Sequence, residues 1–258
     1  ILDAAWESKS PIIVEIAESE TGYCPMQPDM LSDIVHNAIK KRIEKYGYSV
    51  PVCLHHDHIQ KDVDGCIQRS IDAGFSSVMI DLASSDFQEN VRWTQSVVQA
   101  AHARNVSVEA ELGQIFDGQS SVEQRNSALT NPELAAQFVR ETGVDALAVS
   151  VGTAHGLYSS KPEVDFTRLE TIIKTIQAPV VVHGGSNTPD DDIRRMVQLG
   201  VAKVNIGTDL MIAFLQGLRD TLATEDPRLA VSDVLGQARE YTYAVTRKKI
   251  QLLNTYRR

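Results

Sequence analysis

The sequence predicts an α/β protein, and within that class a (β/α)8 TIM barrel with extra helices at its C-terminal end. Three observations carry this prediction: the length of 258 residues, a regular alternation of short apolar runs with helical stretches, and polar side chains gathered where the runs end. Barrels of this type commonly have about 250 residues. The runs are rich in β-branched residues and nearly continuous in apolar ones, as is typical of parallel strands buried on both faces. They cover residues 12–16, 50–54, 77–82, 106–112, 146–151, 179–183 and 203–206.

The stretches between these runs have the spacing of apolar residues that an amphipathic helix requires. Two of them open with a helix-start signal, Asn131 before Pro132 and Thr188 before Pro189. Strand and helix alternating in this way indicate a parallel sheet with right-handed crossovers. The predicted helices include residues 28–46, 88–104, 132–142, 165–176 and 189–199.

Only seven strands can be counted, whereas a closed barrel has eight. Residues 1–6 have the pattern of a helix interior without a start signal, so we expect the first strand and its loop to precede residue 1. An open seven-stranded sheet is the alternative. After Asp209 the pattern is helical, with one interruption at Asp226 and Pro227. We therefore expect a single barrel domain over residues 1–258, with a helical extension at about 210–258 that packs on the barrel or on a second subunit.

The amino-acid composition limits which binding partners and which cellular compartment are expected. The net charge of −9 argues against nonspecific binding to nucleic acid or to an anionic membrane. No apolar run approaches the roughly 18 residues that a membrane span needs. The three cysteines are few and odd in number, which favours a reducing compartment over a disulfide framework. The cytoplasm is the expected location.

The densest group of candidate metal ligands follows the second apolar run, where His55, His56, Asp57 and His58 stand together. Later strands end in further histidines, and the active sites of barrels lie at the carboxyl ends of the strands. Three imidazoles from three strands can therefore converge on one ion, as in common catalytic zinc sites. These three candidate ligands are His58, His155 and His183.

Two glycine-containing turns indicate an anion pocket beside the metal. One runs from His183 through Gly184 and Gly185 to Ser186, and the other runs from Asn205 to Thr208. Each precedes a predicted helix, whose N-terminus offers free N–H groups and a positive dipole end. The loops after the last two strands are the usual phosphate site of this fold. A metal beside an anion pocket suits a phosphorylated carbonyl substrate whose oxygen the metal polarises.

The same residues resemble the class II, metal-dependent ketose-bisphosphate aldolases, which act on fructose or tagatose bisphosphate. The matching stretches extend over essentially the whole chain, and the longest are residues 143–158 and 183–209. The resemblance implies reversible cleavage of a phosphorylated ketose to dihydroxyacetone phosphate and an aldehyde. In that reaction zinc polarises the carbonyl and stabilises the enediolate, without a lysine Schiff base.

The resemblance also implies individual roles. His58, His155 and His183 match the zinc ligands, Asp57 matches the aspartate that exchanges a proton with the C4 hydroxyl, and Glu111 matches a glutamate close to the metal. The dihydroxyacetone-phosphate half would bind at Gly156, Gly184, Ser186, Asn205, Gly207 and Thr208. A monovalent cation, Na⁺ or K⁺, would lie near Gly156. We expect the protein to assemble as a homodimer or a homotetramer.

Two departures from the family pattern affect the expected activity. The mobile loop after Gly113 lacks the glutamate that handles the C3 proton, so that either Asp117 or Glu123 substitutes, residues are absent, or this half-reaction is impaired. Leu82 and Ala83 replace a glycine and a serine at the wall of the site, which leaves the identity of the ketose phosphate open. Two other hypotheses therefore stand beside the aldolase: a metal-dependent hydrolase on the same barrel, and a non-catalytic or altered-specificity subunit.

Overall fold

A parallel seven-stranded sheet forms the centre of the molecule, in a computed structural model that describes residues 1–21, 27–158, 162–224 and 228–253. Each strand pairs with the next one along the chain, so the spatial order equals the sequence order. This confirms the predicted α/β class and parallel sheet. Within the described residues, the strands are β1 Ile12–Ala17, β2 Val52–Ile59, β3 Ser77–Ile80, β4 Ser107–Leu112, β5 Ala146–Val149, β6 Val180–Val182 and β7 Lys203–Val204.

Helices connect successive strands and continue to the end of the described chain. They are α1 Leu2–Ser8, α2 Glu18–Thr21, α3 Pro28–Tyr46, α4 Val63–Asp72, α5 Phe87–His102, α6 Val122–Ser127, α7 Pro132–Thr142, α8 Phe166–Thr175, α9 Asp190–Leu199, α10 Thr208–Leu222 and α11 Val231–Leu253. The helical region predicted after Asp209 is confirmed as α10 and α11. The interruption predicted at Asp226 and Pro227 lies outside the described residues. No described helix combines the length and apolar character needed to cross a membrane.

The sheet curls so far that its two edge strands approach each other. Lys203 Nζ on β7 lies 3.4 Å from a carboxylate oxygen of Glu15 on β1. In the described part of the chain, however, these two strands are the sheet edges and do not pair with each other. The observed architecture is therefore a curled, barrel-like sheet of seven strands.

Both faces of the strands are buried, as their continuous apolar character predicts. On β3 the side chain of Val78 packs outward against the helix layer, whereas Met79 points inward. The same alternation occurs on β5, where Leu147 packs outward and Ala148 inward. The apolar interior cluster is small, so the rest of the inner face is free for polar side chains.

Both predicted helix-start signals mark the start of a helix, but only the first of them acts through a side-chain cap. The side chain of Asn131 accepts hydrogen bonds from the N–H groups of Glu133 and Leu134, and Pro132 opens α7. Thr188 does not cap α9, because its hydroxyl donates to the carbonyl of Gly184 at 2.9 Å. A hydroxyl so close to a strand-end turn is used to hold the turn rather than the helix.

Candidate metal and active site

The strand β2 carries its polar cluster into the interior of the curled sheet. It runs through the histidines to Ile59, although the sequence predicted an end at Leu54. His55 and Asp57 share the inner face, as predicted, and His55 Nε2 lies 3.2 Å from Asp57 Oδ1. A strand can continue through such polar residues because each one finds a hydrogen-bond partner, either inside the curled sheet or in the helix layer.

Regular alternation along β2 predicts from the sequence that His56 and His58 share a face, with His56 lining the site wall, and the structure shows that this prediction is wrong. His56 points to the helix layer, where its Nδ1 lies 2.6 Å from Ser70 Oγ on α4 and its ring packs against Phe75. His58 has a positive φ of 50°, and the pairing of β2 with β3 shifts in register between His56 and Ile59. This local irregularity breaks the two-residue alternation and turns His58 toward the site.

The three predicted ligands, His58, His155 and His183, are brought together. One nitrogen of each ring can be chosen so that the three atoms lie within 4.8 Å of one another. His58 Nε2 is 2.8 Å from His183 Nδ1, and the ring of His155 lies 4.9 Å from that of His58. Three imidazoles at this separation have the donor chemistry of a zinc site.

Carboxylates on the far side of two rings determine which nitrogens face inward. His58 Nδ1 is 2.8 Å from Asp81 Oδ2, and His183 Nε2 is 3.0 Å from Glu109 Oε1. Each carboxylate accepts an N–H from its ring, so that the opposite nitrogen is the one that binds a metal when it carries no proton. Metal-ligating histidines are commonly oriented in this way.

The environments of the rings favour different protonation states. Burial lowers the pKa of His58, but the hydrogen bond to Asp81 and the charges of Asp57 and Glu111 outweigh it and raise the pKa to about 9. The pKa of His155 is lowered to about 3, chiefly by burial and then by the charges of His183 and His58. A metal must therefore compete with a proton at His58 but not at His155.

Asp57 is a buried carboxylate that stays ionised. Burial by itself raises its pKa, but the charge of His183, the hydrogen bond from His55 and the charge of Lys203 hold the pKa well below its usual range. Its Oδ2 accepts a hydrogen bond from Asn205 Nδ2 at 3.2 Å. This geometry gives the site an anionic proton acceptor next to the imidazoles.

Glu111 lies behind His58, with 3.9 Å between Glu111 Oε2 and His58 Nδ1. Burial, and then the charge of Asp81, raise the pKa of Glu111 well above its ordinary value. Its Oε1 accepts the N–H of Ile115, whereas Oε2 is buried without a hydrogen-bond partner among the described residues. A buried, unpartnered carboxylate oxygen beside three imidazoles fits a nearby cation.

Sequence reasoning missed Lys203, which lies below the imidazoles on the inner face of β7. Its ammonium is 2.8 Å from Glu109 Oε2, 3.4 Å from Glu15 Oε2 and 3.9 Å from Asp57 Oδ1. The signal was present in the sequence, because a lysine interrupts an otherwise apolar strand. Its partners are far apart in the sequence, so they could not be read from the pattern.

A cavity of about 930 Å³ opens from the imidazoles toward the two glycine-containing turns. Every predicted site residue except Glu111 lines it. These residues are Asp57, His58, His155, Gly156, His183, Gly184, Ser186, Asn205, Gly207 and Thr208. Gly184 has a positive φ of 72°, and a Cβ there would lie 2.2 Å from the carbonyl oxygen of Ala154, so the turn requires glycine.

Tyr158 ties the loop of His155 to the loop of His183. Its hydroxyl accepts the N–H of Ala154 at 2.8 Å and donates to the carbonyl of Gly184 at 3.0 Å. Ala154 is fully buried, so its N–H depends on this acceptor.

Replacing Tyr158 with phenylalanine is expected to lower the free energy of unfolding by about 1–3 kcal/mol, because a buried N–H loses its acceptor. Urea unfolding of the zinc-free protein measures this. Tyr241→Phe is the matched control, since it removes an exposed hydroxyl bonded to Asp220 and should change stability by less than about 0.5 kcal/mol. Equal effects of the two substitutions would contradict the structural role of Tyr158.

The two acids expected to replace the loop glutamate take different positions. The backbone of Asp117 forms a parallel bridge with His155, and Gly118 donates its N–H to the carbonyl of His155 at 2.6 Å. Glu123 is exposed in the first turn of α6, where hydrogen bonds from its own N–H and from Ser121 lower its pKa. Of the two, only Asp117 lies next to a candidate ligand.

The curled parallel sheet, with its histidines and carboxylates at the carboxyl edge, defines a metal-dependent α/β enzyme. The family model for class-II fructose-bisphosphate aldolase matches residues 1–258. The fructose-bisphosphate aldolase of Geobacillus stearothermophilus is 37% identical over 253 residues, which are 93% of this chain and 86% of that protein. The chain belongs to the class-II fructose-bisphosphate aldolase family, whose members are zinc-dependent, and it is an aldolase, a carbon–carbon lyase.

Two solved structures share the architecture. The YdjI aldolase of Escherichia coli K12 superposes with a TM-score of 0.80 at 30% identity, over 98% of this chain and 86% of that one. The fructose-bisphosphate aldolase of Campylobacter jejuni superposes with a TM-score of 0.79 at 24% identity, again over 98% and 86%, a likeness that concerns the fold alone.

Proposed function

We propose that this chain reversibly cleaves a phosphorylated ketose to dihydroxyacetone phosphate and an aldehyde, with fructose 1,6-bisphosphate and tagatose 1,6-bisphosphate as the first candidates. The observation that carries the proposal is the convergence of three imidazoles, with their unblocked nitrogens facing one another, beside the ionised carboxylate of Asp57. Membership in a family of metal-dependent aldolases supports it.

His58, His155 and His183 would hold the zinc ion. The donor set fits, because three imidazoles that each offer a nitrogen leave room for a substrate oxygen, and the unpartnered Oε2 of Glu111 is a further oxygen close by. Zinc bound there would act as a Lewis acid on the ketose carbonyl. A monovalent cation near Gly156 is part of the same proposal.

Asp57 would accept the proton of the C4 hydroxyl as the carbon–carbon bond breaks, and would return it when the bond forms. Two neighbours orient its carboxylate, since His55 lies at Oδ1 and Asn205 at Oδ2, each at 3.2 Å. A positioned carboxylate of this kind typically contributes about 10²–10⁴-fold to the rate.

The glycine-containing turns would bind the phosphate of the dihydroxyacetone-phosphate half. Gly207 precedes α10 without a side-chain cap. The N–H groups of Asp209 and Leu210 are already donated to Ser186 Oγ and to the carbonyl of Gly207, so an anion here would bind at the N–H of Thr208. Gly156, Gly184, Ser186, Asn205 and Thr208 line the same cavity.

A Schiff-base mechanism is not expected at Lys203, which is buried close to the site. Burial acts to lower the pKa of Lys203, but the charges of Glu109, Glu15 and Asp57 outweigh it and raise the pKa above its ordinary value. A cationic amine held by three carboxylates is a poor nucleophile.

The proposal is tested by a coupled assay for dihydroxyacetone phosphate across fructose and tagatose mono- and bisphosphates, with the zinc-loaded protein. We expect cleavage of at least one bisphosphate, reversible loss of activity with EDTA, and no inactivation by borohydride in the presence of substrate. Inactivation by borohydride would overturn the metal mechanism.

The same assay decides between the alternatives. Release of inorganic phosphate without an aldehyde product would favour the hydrolase. Zinc near one ion per chain, with no cleavage of any ketose phosphate, would favour a non-catalytic or altered-specificity subunit.

Four further features belong to the proposal. An eighth strand would fit between β1 and β7 and close the barrel, and residues 1–258 would form one domain.

The molecule would assemble as a homodimer or homotetramer, which the exposed apolar side chains of Met211, Leu215 and Leu222 on α10 support. Cytoplasmic location is supported by the free thiols of Cys53 and Cys66.

A further inference from the structure

The buried pair of Glu109 and Lys203 has no assigned part at the metal site in the proposed reaction, although it lies directly below the imidazoles. Glu109 is 3% exposed, and the side chain of Lys203 is 10% exposed. Their charged atoms are 2.8 Å apart. Moving two charges into a protein interior costs several kcal/mol of free energy per ion, so the role of a buried pair in this position needs an explanation.

Each oxygen of Glu109 has a different partner. Oε1 accepts the Nε2–H of His183 at 3.0 Å, and Oε2 accepts from the ammonium of Lys203 at 2.8 Å. Because an imidazole with one N–H carries its lone pair on the other nitrogen, this hydrogen bond directs the lone pair of His183 to Nδ1. Nδ1 is the atom that faces His58.

Lys203 supplies the positive charge that the carboxylates around it require. Glu15, Asp57 and Glu109 all have an oxygen within 3.9 Å of its ammonium. Without Lys203, three carboxylates would lie near one another on the inner face of the sheet. Their repulsion would displace Glu109 from its hydrogen bond with His183.

We propose that Glu109 is a positioning residue that fixes the tautomer and the orientation of His183 for metal binding, and that Lys203 acts through Glu109. This inference rests on the proposed zinc site. Neither residue contacts the reacting atoms. Outer partners of metal ligands of this kind typically contribute about 10–100-fold to metal affinity.

The first test is made on the wild-type protein. The ¹⁵N spectrum of the zinc-free wild-type protein at pH 8, with the His183 signals assigned from a His183→Gln sample, reports which ring nitrogen carries the proton. We expect protonated Nε2 and unprotonated Nδ1. A proton on Nδ1 in the wild-type protein would overturn the inference.

The second test measures zinc affinity by competition with a chromogenic chelator. Glu109→Gln is expected to bind zinc about 10–100-fold more weakly and Lys203→Met about 10-fold more weakly. Glu109→Asp, which keeps the charge, should bind more tightly than Glu109→Gln. Because Lys203 acts through Glu109, the double variant should bind no more weakly than Glu109→Gln within a factor of about three.

The matched control is the exposed pair of Glu170 and Lys174, whose charged atoms are 2.6 Å apart. Glu170→Gln should leave zinc affinity unchanged. Wild-type affinity in Glu109→Gln would refute the positioning role while leaving the zinc site intact. Absence of zinc binding by the wild-type protein would instead refute the proposed function. If Glu109→Gln does not fold, Lys203→Met and the wild-type spectrum decide the question.

Discussion

Replacing Asp57 with alanine is expected to lower the turnover number by about 10²–10⁴-fold, because the site loses its proton acceptor. The variant should keep its zinc, since none of the three imidazoles is removed. Turnover is measured with the best ketose phosphate from the coupled assay, and metal content by atomic absorption.

Asp57→Asn is the matched variant for size and hydrogen bonding. Its amide can still face His55 and Asn205, but it is neutral and cannot take up a proton at physiological pH. We expect it to be as inactive as the alanine variant. Full activity in Asp57→Asn would exclude Asp57 as the proton carrier, whatever the alanine variant does.

Replacing His155 with alanine is expected to remove stoichiometric zinc and, with it, activity. The loss of affinity should exceed the roughly 10–100-fold that follows removal of an outer partner, because a direct ligand is lost. His155 is also the most informative ligand to change, since no carboxylate hydrogen bond to its ring is present within the described residues. The effect on folding should therefore be small.

The control is His102→Ala. This histidine is exposed on α5 and lies 2.8 Å from the carboxylate of Asp145, away from the cavity. It should bind zinc as the wild-type protein does. A His155→Ala variant that still holds one zinc per chain would remove His155 from the ligand set.

The local sequence pattern was sufficient to predict the parallel sheet and the convergence of the histidines. Helix α7 begins and ends where the sequence predicted, because Asn131 and Pro132 provide a start signal and Gly143 follows the last helical residue in the left-handed conformation. The convergence of His155 and His183 followed from topology, since parallel strands present their carboxyl ends at one edge. Neither inference needed a side-chain contact.

The sequence pattern did not predict the side-chain contacts where a residue departs from the regular geometry of its strand or helix. Strict alternation placed His56 and His58 on one face, but the positive φ of His58 separates them. Thr188 had the composition of a helix cap, yet its hydroxyl bonds the carbonyl of Gly184. For His58 a contact distant in the sequence competed with the local rule, whereas the acceptor of Thr188 is a carbonyl in the strand-end turn only four residues earlier.

The sequence by itself determined the α/β class, the strand order and the chemical character of the site. These features follow from the spacing of apolar residues and from the residue types, both of which can be read from neighbouring positions in the chain. Only the tertiary structure decided which nitrogen of each histidine is free. For His58 the hydrogen-bond partner is Asp81, and for His183 it is Glu109. A hydrogen-bond partner 74 residues from His183 becomes available only when the sheet curls. The electrostatics of the site therefore follow from closure of the fold rather than from any motif.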